Sequence, residues 1–346
     1  MRLRHLPAML LCLLIPGAAR GGGEDPPQRL SQTGLYADPA SHQVDAANRA
    51  YAPQYPLWSD GAAKRRWVYL PTGSRIDAAA PDAWKFPVGT RFWKEFSFGG
   101  KRVETRLLWR SARGWDYATY LWDPKEADAA LAPKEGVKGH LDLGEGRSHA
   151  IPSVKDCRTC HENGGPEVLG FNALQLSSDR DPGAPHAEPL EPGMVTLADL
   201  LKEGRLEGAP AAWATAPPRI PAATPRERAA VGYLAANCGN CHPGTSAALA
   251  RLGFDLTVPS RATAAKDLPW RATALDVPGK TSIQGAPEGG ARRNTPGAPD
   301  LSLLVHRMAS RRPARQMPPL GSALPDSEAL ALIRAWIAED LPGKKP

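Results

Sequence analysis

The chain has 346 residues, 42% hydrophobic and 23% charged, with 43 Lys and Arg against 36 Asp and Glu for a formal charge of +7, a length that suggests two domains. That charge balance is ordinary, and no basic cluster is interleaved with aromatics as in a strand-binding groove, which argues against a nucleic-acid partner. No run approaches the ~20 apolar residues of a membrane-spanning helix, so no transmembrane segment is expected in the mature chain.

The N-terminus reads as a signal peptide over residues 1–19. Met1-Arg-Leu-Arg-His is a basic start, Leu6 to Ile15 is a short apolar run, and Gly17-Ala18-Ala19 offers small residues for cleavage. A lipoprotein is disfavoured, because Leu11 precedes Cys12 where a small residue is needed. Loss of Arg2 and Arg4 lowers the formal charge to +5. The expected location is the periplasm, with surface association open.

Residues 30–178 read as a Trp-rich β domain, since seven of the ten tryptophans lie between 58 and 122. Thr90 to Phe98 and Val103 to Arg110 flank Gly99-Gly100, a pair that accepts the positive φ angles of a tight hairpin, and Ser111 to Gly114 turns the chain into Trp115 to Trp122. Val103, Thr105, Leu107 and Trp109 share one strand face, and Glu104, Arg106 and Arg110 the other. This pattern predicts an antiparallel meander with one face buried and the tryptophans as core.

Next comes Cys157-Arg-Thr-Cys160-His161, repeated at Cys238-Gly-Asn-Cys241-His242. Cys12 aside, no cysteine is left over. In C-x-x-C-H the two thiols add across the vinyl groups of haem and the adjacent imidazole becomes the proximal iron ligand. A four-thiolate zinc site would place its pairs ~12–20 residues apart, whereas 77 residues lie between Cys160 and Cys238, and zinc does not explain a His after both. A thioredoxin-like pair needs no repeated His. Two covalently attached haem c groups are therefore expected, with Cys157, Cys160, Cys238 and Cys241 as attachment points and His161 and His242 on iron.

Residues 179–222 are proline-dense and predict an extended linker, with a helix only over Thr196 to Glu203. Residues 223–346 predict an all-α, class I cytochrome c-like domain. Thr224-Pro225-Arg226-Glu227 starts a helix running into Cys238, and Asp326 caps a closing helix with Leu330, Ile333, Trp336 and Ile337 on one stripe. Gly232 and Tyr233 are expected to cross Trp336. The fold class is thus α+β, a β-rich N-terminal domain followed by a helical one.

For sixth ligands, Met317 in Arg315-Gln316-Met317-Pro318-Pro319 stands on a rigid loop before the closing helix and is assigned to the second haem. Met308 falls on a helical stripe with Leu301, Leu304 and Val305 and reads as core. The first motif has only a few possible helical residues ahead of it and no comparable ligand. Its candidates are Met194, after Pro192-Gly193, then His186, His140, His149 and His42, and an open iron face is equally credible.

Pro56-Leu-Trp-Ser-Asp-Gly-Ala-Ala-Lys-Arg-Arg-Trp67, Phe86-Pro-Val-Gly-Thr90, Glu104-Thr-Arg-Leu-Leu108, Gly114-Trp-Asp-Tyr-Ala-Thr-Tyr120, both C-x-x-C-H motifs and Met317-Pro-Pro-Leu-Gly321 together resemble a family of largely uncharacterised bacterial di-haem c-type cytochromes over residues 33 to 340. The resemblance implies a periplasmic or surface location, haem c at both motifs and Met317 in the family's M-P-x-x-G, but no substrate. Members often carry further cysteines before the Pro-Gly element matched by Pro296-Gly297, and this chain has none there; the segment around Met194 also departs from the family pattern. The order of β-meander then C-x-x-C-H is faintly similar to the sheet-based c-prime-beta cytochromes, an architectural likeness only.

The expectation is a di-haem electron carrier working with periplasmic redox partner proteins. The alternative is a di-haem oxidoreductase whose first haem is open to peroxide or a nitrogen oxide while the second feeds it. A docking role for the Trp-rich segment is a third possibility.

Overall fold

The structure is a computed structural model that describes residues 25–162, 164–244, 252–283 and 291–341. The expected signal peptide, with Cys12, lies outside the described residues.

In chain order, β1 (Tyr36–Asp38) and β2 (Gln43–Val44) pair with each other, and β3 (Arg49–Ala50) and β4 (Ala63–Tyr69) follow. After β5 (Ile76–Asp77) come β6 (Arg91–Phe98), β7 (Lys101–Ser111), β8 (Gly114–Trp122) and β9 (Ala129–Leu131). A six-stranded antiparallel sheet runs β3-β4-β6-β7-β8-β9. Gly99 (φ 55°) and Gly100 (φ 82°) make the β6–β7 turn, as their freedom at positive φ allows. β10 (Val137–Gly144) and β11 (Arg147–Ile151) form a separate hairpin that leads into α1 (Val154–His161).

Both sheet faces are buried, which corrects the expectation of one solvated face. Trp67, Trp93, Leu107, Ala118, Tyr120 and Trp122 fill the core on one side. On the other, Val68, Phe92, Trp115 and Tyr117 pack with Phe171, Val195, Leu197 and Trp213. Glu104, on the face expected to meet solvent, is thus 0% exposed and Arg106 keeps only 24% of its side chain open, while Arg66 on the same face is 4% exposed. Alternation alone reports which residues share a face and not what lies over it.

The proline-dense stretch is packed into both halves. Leu174, Ala184 and Ile220 join the core of the C-terminal helices, while Val195, Leu197 and Leu200 join the sheet core. It carries α2 (Leu197–Lys202), capped by Thr196, and β12 (Leu206–Glu207), which pairs in parallel with β5.

The C-terminal region overturns the expected all-α class I domain. Only α3 (Pro225–Asn237) and α6 (Ser327–Ala335), which runs on into a π turn at Trp336–Asp340, have substantial length. Between them the described chain offers just α4 (Trp270–Thr273), α5 (Leu303–Ala309) and 3-10 turns at Ala265–Asp267 and Pro299–Leu301. Pro243, Gly244, Gly253, Pro259, Pro269, Pro278 and Gly279 interrupt helical hydrogen bonding there. The helical core is also shared with Tyr55 from the N-terminal half. Gly232 is where they meet: a Cβ on it would lie 2.1 Å from the Tyr55 ring, so this glycine admits Tyr55, a contact the sequence did not suggest, while Tyr233 and Trp336 share one core as the helices pack together.

Candidate functional site

The first motif is set by a capping box. Ser153 Oγ accepts from Asp156 N (3.1 Å), and Ser153 N donates to Asp156 Oδ2 (2.9 Å), so α1 begins with only Pro152 and Ser153 between it and β11. At positions i, i+3 and i+4 of one helix, Cys157, Cys160 and His161 share a face. His161 Nδ1 lies 2.7 Å from the Glu167 carbonyl, to which it can only donate, and this fixes the tautomer with Nε2 free to bind a metal. Burial, with Lys94 and Arg106 nearby, pushes the His161 imidazole down to about 4, so it is neutral. Tyr117 packs at 5.4 Å from its ring. A cavity of about 340 Å³ opens beside Cys157, and one of about 840 Å³ beside His161.

The second motif caps α3. Cys238 N donates to Leu234 O (2.9 Å) and His242 N to Cys238 O (2.9 Å). Cys238, Cys241 and His242 line a cavity of about 260 Å³ whose walls include Phe254, Leu256, Leu304, Arg293, Arg307 and Met317. Met317, assigned from sequence alone, therefore shares one apolar cavity with His242. His242 Nδ1 is buried without a hydrogen-bond partner, and burial, with Arg293 and Arg307, pushes its imidazole down. Burial raises the Cys157 thiol to about 11 and Cys238 to about 12.

The two motifs touch. Cys160 and Cys241 lie close enough that each is the leading influence on the other's thiol, raising Cys160 and lowering Cys241 to about 7. A Cβ on Gly165 would lie 2.8 Å from Asn240 O, so only glycine lets the chain after the first motif pass so close to the second. Nothing in the spacing of the motifs announces this contact.

Met194 is placed elsewhere. Its N–H bonds Glu191 O (3.1 Å) in the turn before α2, and it lines neither cavity beside the first motif. His186 is held by Asp326 (2.9 Å), and His42 is half-buried against the Tyr36 and Trp122 rings and the Ala127 carbonyl. His149 is buried between Asp60 Oδ2 (3.3 Å) and Glu104 Oε1 (3.0 Å). His140 is partly buried near Glu104 and His149, and burial lowers its pKa. Met308 is in the core.

Sequence reasoning gave Leu57-Trp58-Ser59-Asp60-Gly61 no role beyond the resemblance, yet the structure gives it a clear one. Trp58 N donates to Asn237 Oδ1 (2.7 Å), next to Cys238, and Trp58 Nε1 to Leu324 O (2.9 Å). Asp60 Oδ1 accepts from Ala323 N (2.7 Å) and Leu324 N (2.9 Å). One turn, with Asp60 at φ 56° and Gly61 at φ 81°, thus ties the second motif to the loop that follows Met317. The polar tip of a buried turn was the available signal, because buried polar groups must find partners.

Among the described residues, no three His, Cys, Asp or Glu side chains converge as a metal site, and no helix is long and apolar enough to cross a membrane. No family model, curated protein or solved structure matches the chain.

Proposed function

We propose that the chain is a periplasmic di-haem c-type electron-transfer protein, with haem held at Cys157, Cys160 and His161 and again at Cys238, Cys241 and His242. The residues present suit the group. A preset imidazole at His161, an unpartnered imidazole nitrogen at His242, and an apolar cavity holding both thiols and Met317 with two arginines at its wall are what haem c attachment asks for. Haem, when attached, supplies a one-electron iron couple. The chain's own residues anchor it, fix the imidazoles and exclude water with Phe254, Leu256 and Leu304.

The observation that carries the reading is the close approach of the two motifs, where the chain at Gly165 lies against Asn240 and Cys160 faces Cys241, so that groups attached at the two motifs would be held side by side. Electrons taken from a periplasmic partner protein at one site would then reach the other directly. Substoichiometric reductant tests this: one electron per chain should distribute between both haems, according to their potentials, within the mixing time of a stopped-flow experiment. An electron that stays on the haem first reduced would contradict it.

A second reading, an oxidoreductase with an open first haem, draws on one observation. Among the residues lining the two cavities beside the first motif, none is a methionine and the only histidine is His161. Carbon monoxide binding to one of two reduced haems would support it, and no binding would remove it.

A further inference from the structure

On the sheet face toward the first motif, three cations stand directly opposite one another on adjacent strands. Arg66 of β4 pairs in register with Lys94 of β6, and Lys94 with Arg106 of β7. Like charges so placed destabilise a sheet unless something offsets them. In the next row along the same face, Val68, Phe92 and Tyr117 belong to the sheet core, against which Leu108 and Cys157 pack. The fields of Lys94 and Arg106 both reach His161, and that of Arg106 reaches Cys157 and Cys160.

The carboxylates nearby do not match the row. Glu188 pairs with Arg66 through Nη1 and leaves Arg66 Nη2 buried and unpartnered. Glu104 pairs with Arg106 but is shared with His149. Among the described residues no carboxylate or hydrogen-bond acceptor lies at contact distance from the Lys94 amine, although the field of Glu188 reaches it; the amine rests over the Phe96 ring (4.8 Å), against which Arg106 also stacks (4.3 Å). Burial, with Arg66, Lys64 and Arg106 beside it, pushes the Lys94 amine well below the usual lysine range, a cost that a bound anion would offset; Lys94 keeps part of its surface open, and Arg106 keeps 24% of its side chain open. A lysine amine without a hydrogen-bond partner, set between two guanidiniums of which one keeps a buried free N–H, is matched by anionic oxygen, which would restore the charge of the row.

We propose that Arg66, Lys94 and Arg106 form a binding site for a small oxyanion or carboxylate beside the first C-x-x-C-H motif. The site deepens the haem reading above without depending on it. The same carboxylate chemistry has two sources, a free solute or a propionate of the haem itself, and the two are separable. Calorimetric titration of the purified protein with acetate and with nitrite at low ionic strength is compared between wild type and Lys94→Gln, and midpoint potentials of both are measured without added anion.

A solute site predicts uptake that weakens about tenfold or more in the variant. A propionate site predicts no uptake but a shift in the potential of one haem with the other unchanged. If Lys94→Gln alters neither anion uptake nor either potential, the proposal is wrong. The variant removes a charge from a same-sign row, so its thermal midpoint should not fall. Haem content measured on the same samples separates failure of this site from failure of the haem reading, since the calorimetric arm needs no haem.

Discussion

Replacing Asp60 tests how the Met317 loop is held. Asp60 is 6% exposed, and its Oδ1 accepts two backbone N–H bonds, from Ala323 and Leu324, while Oδ2 faces His149. A hydrogen bond to a charged group is worth ~1.5–3 kcal/mol, and its loss leaves the donors unsatisfied. Asp60 also sits at φ 56°, where a residue such as alanine costs ~1–2 kcal/mol. Asp60→Ala should therefore destabilise by about 4 kcal/mol. Asp60→Asn keeps an acceptor oxygen and tolerates the conformation, so it should lose only about 1 kcal/mol. Urea unfolding midpoints at pH 6 measure both. If Met317 ligates the second haem as proposed, the optical spectrum should show that ligation weakened in Asp60→Ala first, because the loop Asp60 anchors follows Met317 directly. Equal stability of the two variants, within about 0.5 kcal/mol, would refute the clamp.

Other expectations follow from single contacts. Gly232→Ala should cost about 1–3 kcal/mol or more, since its new Cβ overlaps the Tyr55 ring and the helix cannot retreat; a thermal midpoint equal to wild type would contradict this. Met317→Ala should change the spectrum and lower the potential of one haem only, the one at Cys238 and Cys241, and an unchanged spectrum would dismiss Met317 as ligand. For the buried Glu104, burial raises its carboxyl, but Arg106 and His149 outweigh it and hold it at about 2, below its ordinary 4.5. Its contribution, on the order of 3 kcal/mol, is present above pH 4.5 and lost as pH falls toward 2. His149 is shifted the other way: burial opposes its charge, but the bonds to Asp60 and Glu104 raise its pKa above 6.5, so that contribution is full below 6.5 and fades as pH rises through the raised value. Stability profiles of Glu104→Gln against wild type from pH 2 to 8 should converge at the acid end; parallel profiles would refute the linkage.

The sheet was legible where turn chemistry and alternation coincide, as in the hairpin around Gly99-Gly100 and the strands through Trp122. The caps at Ser153, Thr196, Thr224 and Asp326 act at helix starts because their side chains satisfy free N–H groups locally. Longer-range consequences were hidden. Glu104 and Arg106 look solvent-facing from strand period alone, and only the tertiary cover over them turns that face into part of the site. The C-terminal helices follow their caps, but prolines and glycines between them deny the helical content that a class I domain requires. The neighbourhood of Cys160 and Cys241 depends on Gly165 fitting against Asn240, a contact between residues 75 positions apart that no local pattern encodes.

Those two thiols also frame the most direct test, because a disulfide between them and haem at both motifs exclude each other: each haem needs the cysteine the disulfide would consume. Protein exported from a host that matures c-type haem should be analysed by intact mass after denaturation and by pyridine haemochromogen. Two covalently retained haems per chain are predicted, with no free thiol among Cys157, Cys160, Cys238 and Cys241. A haem-free chain carrying a Cys160–Cys241 disulfide, or a single haem, would contradict it.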